Sequence, residues 1–222
     1  MAAAKLAKKK QTSERKKGAQ VISLEKNFDL ALSEAKKAIL AGKLVVYPTD
    51  TLYGIGCNAL DKKAVAKIYS AKVREKGKPL SMIVADLKMM RDYCEISEKE
   101  LTALLAMLPG PYTFLLKAKK RLPVSNDEKL GVRVPEHVFM RTVSKQLGLP
   151  IVTTSANMGG GKPPVSLRDV PLSVRKAAAV VIDNGKCKYG QGSTVIDLVE
   201  RKVLRKGAIG ENSRGPAPGI CA

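Results

Sequence analysis

The sequence predicts an α/β domain, an open and twisted mixed sheet with helices on its flanks. Three observations carry that expectation. Short apolar runs of strand length alternate with helical patterns through the first two thirds of the chain, and strand-like runs crowd together after that. The 222 residues are 45% hydrophobic and 27% charged, which suits one globular domain or two tightly joined lobes. A unit of that size buries roughly 70% of the surface its unfolded chain exposes, so it needs no disulfide or metal staple.

Leu30, Ala31, Ala35, Ala38 and Ile39 recur at helical spacing, and Gly42 stands where that helix would end. Residues 44–47 form a β-branched and aromatic run closed by Pro48, a buried strand entering a loop. Asp61 can cap a helix carrying Val65, Ile68 and Tyr69, and residues 80–85 read as the next strand. Ser97 and Glu100 have capping-box spacing ahead of Leu101, Leu104, Leu105 and Leu108, and Pro109-Gly110-Pro111 stops that helix. Further strands are expected at 113–118, 130–134, 151–154, 179–183, 193–198 and 202–205, with a helix at 138–147 among them. Asp183-Asn184-Gly185 is a turn signal between late strands.

Lys and Arg number 40 against 20 acids, a net charge of +20 that attracts polyanions such as nucleotides, RNA or anionic membranes. Residues 1–19 hold seven basic residues against the single acid Glu14, which predicts a disordered basic N-terminal arm. The arm has no hydrophobic segment behind its charges and does not read as a secretory signal. Residues 20–210 are expected to form the domain and 211–222 a flexible tail. The longest apolar stretch, 177–182, is far short of the ~20 residues of a membrane span. These features predict a soluble protein with no membrane role. Cys57, Cys94, Cys187 and Cys221 lie far apart with no C-x-x-C, which suits free thiols in a reducing cytoplasm. With one histidine, His137, expected at the start of a helix, a serine triad or a two-histidine metal site has almost no material.

Five segments past the strand candidates concentrate small polar and basic residues, where α/β proteins place ligands. Residues 48–56 bring Thr49, Asp50 and Thr51 together with two glycines; they form either a self-bonded turn or a binding loop. Lys72-Val73-Arg74 closes a helix with Lys78 beyond it, either as a solvated helix end or as a clamp converging on a polyphosphate. Arg133 lies in the apolar strand Gly131-Val132-Arg133-Val134-Pro135, pointing outward or gripping a carboxylate in a pocket. Thr153-Thr154-Ser155-Ala156-Asn157, followed by Gly159-Gly160-Gly161, is either an ordinary cap and turn or a segment that permits close approach of a phosphate or a nucleobase edge. Gly192-Ser193-Thr194 and Arg205 fall on two adjacent strands. Neither standard nucleotide-binding glycine motif is present.

Taken in order, PTDTLYGIG, KVR followed by KPLS, PGPYT, GVRVP, TTSAN, GSTVID and LRKG resemble the YrdC-type threonylcarbamoyl-adenylate synthase family, from about Val21 to Gly207. The distinctive part is K-x-R, Lys72 and Arg74, paired with S-x-N, Ser155 and Asn157. The resemblance implies a YrdC-like open sheet with a basic concave pocket, in the short single-domain form. It implies an enzyme that condenses L-threonine, bicarbonate and ATP into threonylcarbamoyl-AMP and pyrophosphate, for the N6-threonylcarbamoyl modification of adenosine 37 in tRNA. A separate downstream transferase would move the group to tRNA, which the basic arm could contact. By matched position, Lys72, Arg74, Lys78, Thr153, Ser155, Asn157 and Arg205 are expected at the nucleotide, with Lys72 and Arg74 as catalytic groups. Thr49, Thr51, Arg133 and Ser193 are expected at threonine, with Arg133 on its carboxylate. Lys78 stands where relatives often have another polar residue, and Asp50 replaces a common glutamate. Mg²⁺ is expected with ATP, although the sequence shows no dedicated cage for it.

The residue inventory suits this chemistry independently. A carbamate formed from threonine and bicarbonate is already an anion, so attack on the α-phosphorus requires positioning and charge neutralisation and no histidine or serine triad. Two other classes compete. The basic body fits a non-catalytic tRNA- or rRNA-binding module, although only nine Phe and Tyr are available for base stacking. A carbamoyl-transfer module of hydrogenase-maturation type is a further reading, against which no acylphosphatase-like or zinc-finger segment accompanies the domain.

Overall fold

The computed structural model describes residues 19–75, 77–125 and 128–210; the expected arm apart from Ala19, the expected tail and Cys221 lie outside them. The chain runs β1 (Gln20–Ser23), α1 (Phe28–Leu40), β2 (Val45–Tyr47), β3 (Gly54–Gly56), α2 (Lys62–Lys72), β4 (Ser81–Ile83), α3 (Leu87–Tyr93), α4 (Glu98–Met107) and β5 (Tyr112–Lys117). It continues with β6 (Lys129–Arg133), α5 (Val138–Leu147), β7 (Ile151–Ser155), a 3₁₀ turn at Leu167–Asp169, α6 (Leu172–Ala177), β8 (Val180–Asp183), β9 (Thr194–Asp197) and β10 (Lys202–Arg205). Helix starts follow local chemistry. Asp61 accepts from the Lys63 and Ala64 N–H groups at 2.8 and 3.1 Å, and Ser97 with Glu100 closes the capping box. The helix α5 ends on Gly148 at φ +63°, a left-handed position that glycine adopts without penalty.

Ten strands form one sheet in the order β1-β8-β2-β3-β7-β4-β6-β5-β9-β10, with parallel and antiparallel neighbours mixed. The mixed open sheet with flanking helices agrees with the expectation. Four elements were not anticipated. The short β1 and α6 lack strong signals, α3 is short and signalled mainly by Asp86, which caps it 2.9 Å from the Met89 N–H, and β3 reads Gly-Ile-Gly, a sequence of low strand propensity. The Asp183–Gly185 turn joins strands that do not pair, since β8 lies between β1 and β2 while β9 lies between β5 and β10.

Both sheet faces are partly covered, which explains the continuous apolar runs. Side chains alternate along each strand. Val46, Met82, Val132, Val152 and Val181 face a core closed by α2, α3, α4 and α6, while Val45, Tyr47, Ile83, Ile151 and Ile182 face a core closed by α1 and α5. The second face is covered only in part. Following the same alternation, Ser81, Thr113, Arg133 and Thr153 share the α1/α5 face but lie past the part of it that those helices cover. Polar residues replace apolar ones there because no helix packs on them. No helix among the described residues is long and apolar enough to cross a membrane.

Candidate active site

The uncovered half of the sheet is the floor of a cavity of about 460 Å³, within the usual range for a small-molecule site. All five sequence segments contribute to it. Thr49, Thr51, Arg74, Arg133, Thr153, Ser155, Ser193 and Arg205 line it. The floor consists largely of strand residues facing out of the sheet, where the sequence had suggested loops beyond strand ends. Ser81, Thr113, Gln191, Lys206 and Gly207 also line it and were not singled out. Ser81 and Thr113 stand inside the KPLS and PGPYT motifs, so their signal was present. Among the described residues, the charged side chains on the wall are Arg74, Arg133, Arg205 and Lys206, and no carboxylate lines it. Clustered cations without acids make a hollow that attracts anions.

Lys72, Asn157 and Lys78 are not on the wall. Lys72, 2% exposed, ends α2 with its ammonium directed beneath the Ser155–Asn157 segment. Its Nζ donates to the Ser155 carbonyl, to the Asn157 carbonyl at 2.8 Å and to Asn157 Oδ1 at 3.3 Å. Ser155 Oγ donates to the same Oδ1, and Asn157 Nδ2 donates to the Gly161 carbonyl. The S-x-N segment is thus built around the lysine. Gly159 comes close to the end of α2, its N–H donating to the Lys72 carbonyl at 2.9 Å. Val73 adopts the left-handed conformation at φ +48°, strained for a β-branched residue, and the turn sends Lys72 inward while Arg74 reaches the cavity. The two cations therefore do not converge side by side. Lys78 is exposed and pairs with Glu75 at 3.0 Å, away from the cavity.

Burial pushes the Lys72 ammonium down to about 8, and the Arg74 charge adds to the shift. An ordinary lysine titrates near 10.5, so between these values the unfolded chain holds the extra proton and the folded state gains stability as pH rises. Wild type is expected to gain about 3 kcal/mol over Lys72→Met between pH 7 and 10.5, at roughly 1.4 kcal/mol per pKa unit. Urea melts at the two pH values measure it; a difference that stays flat contradicts an unneutralised ammonium at this place.

On the threonine-assigned side, the first segment is a self-bonded turn placed at the edge of the cavity. Thr49 Oγ1 donates to the Leu52 carbonyl at 2.7 Å and accepts from the Thr51 and Leu52 N–H groups, a self-bonded turn that also faces the cavity. Arg133 is buried, with Nη1 donating to Thr51 Oγ1 at 3.0 Å and Nη2 to Asp50 Oδ1 at 2.6 Å. Arg205 donates from Nε and Nη2 to the Ser193 carbonyl at 3.1 and 2.8 Å and from Nη2 to Ser193 Oγ at 3.1 Å; that hydroxyl also bonds Thr113. Burial, then the nearby Arg133 charge, push the Arg205 guanidinium down. His137 begins α5, accepting at Nδ1 from the Phe139 N–H at 3.4 Å, and lies in a neighbouring cavity. Cys57, Cys94 and Cys187 are free thiols, and burial raises them to about 12, 12 and 11.

An open α/β sheet whose bare half carries a cationic hollow of nucleotide size defines a protein that binds polyanionic substrates. The Sua5_yciO_yrdC family model, described as telomere recombination, matches residues 37–207, and the chain belongs to that family. A protein of Methanocaldococcus jannaschii is 40% identical over 177 residues, spanning 78% of this chain and 84% of its own length. The threonylcarbamoyl-AMP synthase of Chromobacterium violaceum is 33% identical over 77% of this chain and 90% of its own. Among solved structures, Pyrococcus abyssi Sua5 complexed with L-threonine superposes with a TM-score of 0.75 at 33% identity, over 79% of this chain and 54% of Sua5.

Proposed function

We propose that this cavity makes threonylcarbamoyl-AMP, the donor for the modification of adenosine 37 in tRNA, from L-threonine, bicarbonate and ATP, with pyrophosphate as the leaving group. The observation that carries the reading is the hollow in which Arg74, Arg133, Ser155, Ser193 and Arg205 meet, with no carboxylate among its described lining residues. Three reactants that are all anionic or zwitterionic need that balance of charge. The threonine amine and bicarbonate give a carbamate and water. A carbamate oxygen then attacks the α-phosphorus as the bond to pyrophosphate breaks, and no protein nucleophile takes part.

Arg74 and Arg205 flank the phosphates, and Ser155 with Thr153 lies at the adenylate. Lys72 and Asn157 act through the shape of the Ser155 segment, and Lys78, exposed and paired with Glu75, is assigned no direct contact. Arg133 meets the threonine carboxylate, with Thr49, Thr51 and Ser193 around the rest of the amino acid. Among the described residues no group of three or more His, Cys, Asp or Glu side chains is placed to hold a metal. The donors here do not form a Mg²⁺ cage, so the ion belongs to this reading as part of the nucleotide substrate. A cytoplasmic setting, a catalytic unit spanning 20–210, a downstream transferase and tRNA contact through the basic arm complete the proposal.

The test is pyrophosphate release from ATP with threonine and bicarbonate omitted in turn. Release that needs both supports the synthase. Threonine-independent release points to carbamoyl transfer, and no release beside tight RNA binding points to a binding module.

A further inference from the structure

Asp50 borders the site without lining the main cavity, so no substrate reaches its carboxylate directly. The carboxylate is 1% exposed and fully engaged. Its Oδ1 accepts from Arg133 Nη2 at 2.6 Å and from the Thr51 N–H at 3.1 Å, and its Oδ2 accepts from the Glu136 N–H at 3.0 Å. The Asp50 backbone carbonyl accepts from the Tyr189 N–H at 2.9 Å. Tyr189 Oη and Lys188 Nζ in turn donate to the two oxygens of the Glu136 carboxylate at 2.8 and 3.0 Å. One residue therefore ties together the β2–β3 loop, the β6–α5 corner and the β8–β9 loop, and its carboxylate holds Arg133.

We propose that Asp50 is the positioning residue of the amino-acid site, fixing Arg133 in the orientation that receives the substrate carboxylate. The proposal rests on the assignment of Arg133 to threonine made above. A free guanidinium loses rotamer freedom when it grips a ligand; one already held by Asp50 and Thr51 has lost it before the ligand arrives. Both carboxylate oxygens are used as acceptors, since they face three donors. An amide in its place would turn an NH₂ group toward either Arg133 or the Glu136 N–H.

Steady-state pyrophosphate release by Asp50→Asn, Arg133→Gln and the double variant separates the possibilities. Asp50→Asn is expected to raise the KM for threonine by about tenfold or more while the KM for ATP stays within about twofold, and the double variant is expected to match Arg133→Gln alone. General structural damage would instead move both KM values and lower Tm. If the single Asp50→Asn chain does not fold, the comparison of the double variant with Arg133→Gln decides, because the double leaves no buried charge without its partner. Equal threonine KM values in those two support the proposal, and effects that multiply overturn it. An unchanged threonine KM in Asp50→Asn beside a raised one in Arg133→Gln overturns it alone. An unchanged KM in Arg133→Gln removes the threonine assignment and the proposal with it.

Discussion

Replacing Arg74 by alanine is expected to lower kcat for pyrophosphate release by about 10²–10³-fold, the usual cost of removing one preorganised donor from a site of developing charge. Arg74 is suited to such an effect because the protein uses little of it. Its Nη2 donates to the Pro79 carbonyl at 3.2 Å, its Nε is buried without a hydrogen-bond partner, and the side chain lines the cavity. Stability is expected to change by only about 0.5 kcal/mol, the range for a side chain outside the core. Lys72→Ala is expected to behave differently, lowering activity and Tm together, since it removes the donor on which the Ser155 and Asn157 carbonyls close. Single-turnover kinetics beside thermal melts separate the two patterns. Normal turnover in Arg74→Ala would refute the phosphate role.

Gly56→Ala is expected to cost about 3 kcal/mol of stability, the upper range for overpacking a core. An added Cβ would stand 2.0 Å from the Val152 carbonyl oxygen and 2.9 Å from Tyr47 Oη. Neither neighbour can yield cheaply, since that carbonyl accepts from Tyr47 Oη at 3.0 Å and both are buried. Relief would require β3 to separate from β7, the strand that carries Thr153 and Ser155. For a chain of this size the loss corresponds to a fall in Tm of about 6–12 °C. A fall of less than about 2 °C would mean that the strands slide apart at no cost.

The same glycine marks where sequence reading fell short. Gly54-Ile55-Gly56 carries the turn chemistry of a loop, yet it forms a central strand because its two glycines admit the Tyr47 ring and the β7 backbone. Strand runs with an apolar residue at every position were legible, since burial on both faces leaves no polar phase to confuse them. Asp61 and the Ser97–Glu100 box were legible because capping is settled within four residues. Lys72, Arg74 and Lys78 look alike at that range, as three cations after one helix.

The sequence by itself determined most of the elements, the excess of positive charge, the scarcity of histidine and the set of polar segments from which a nucleotide site could be built. Only the tertiary structure decided that Lys72 lies under the site, Arg74 within it and Lys78 outside, and that Arg133 is met by Asp50. The reason is physical. A side chain's type is a local property, whereas its direction here depends on a left-handed turn at Val73 and on backbone carbonyls more than eighty residues away, which no local pattern encodes.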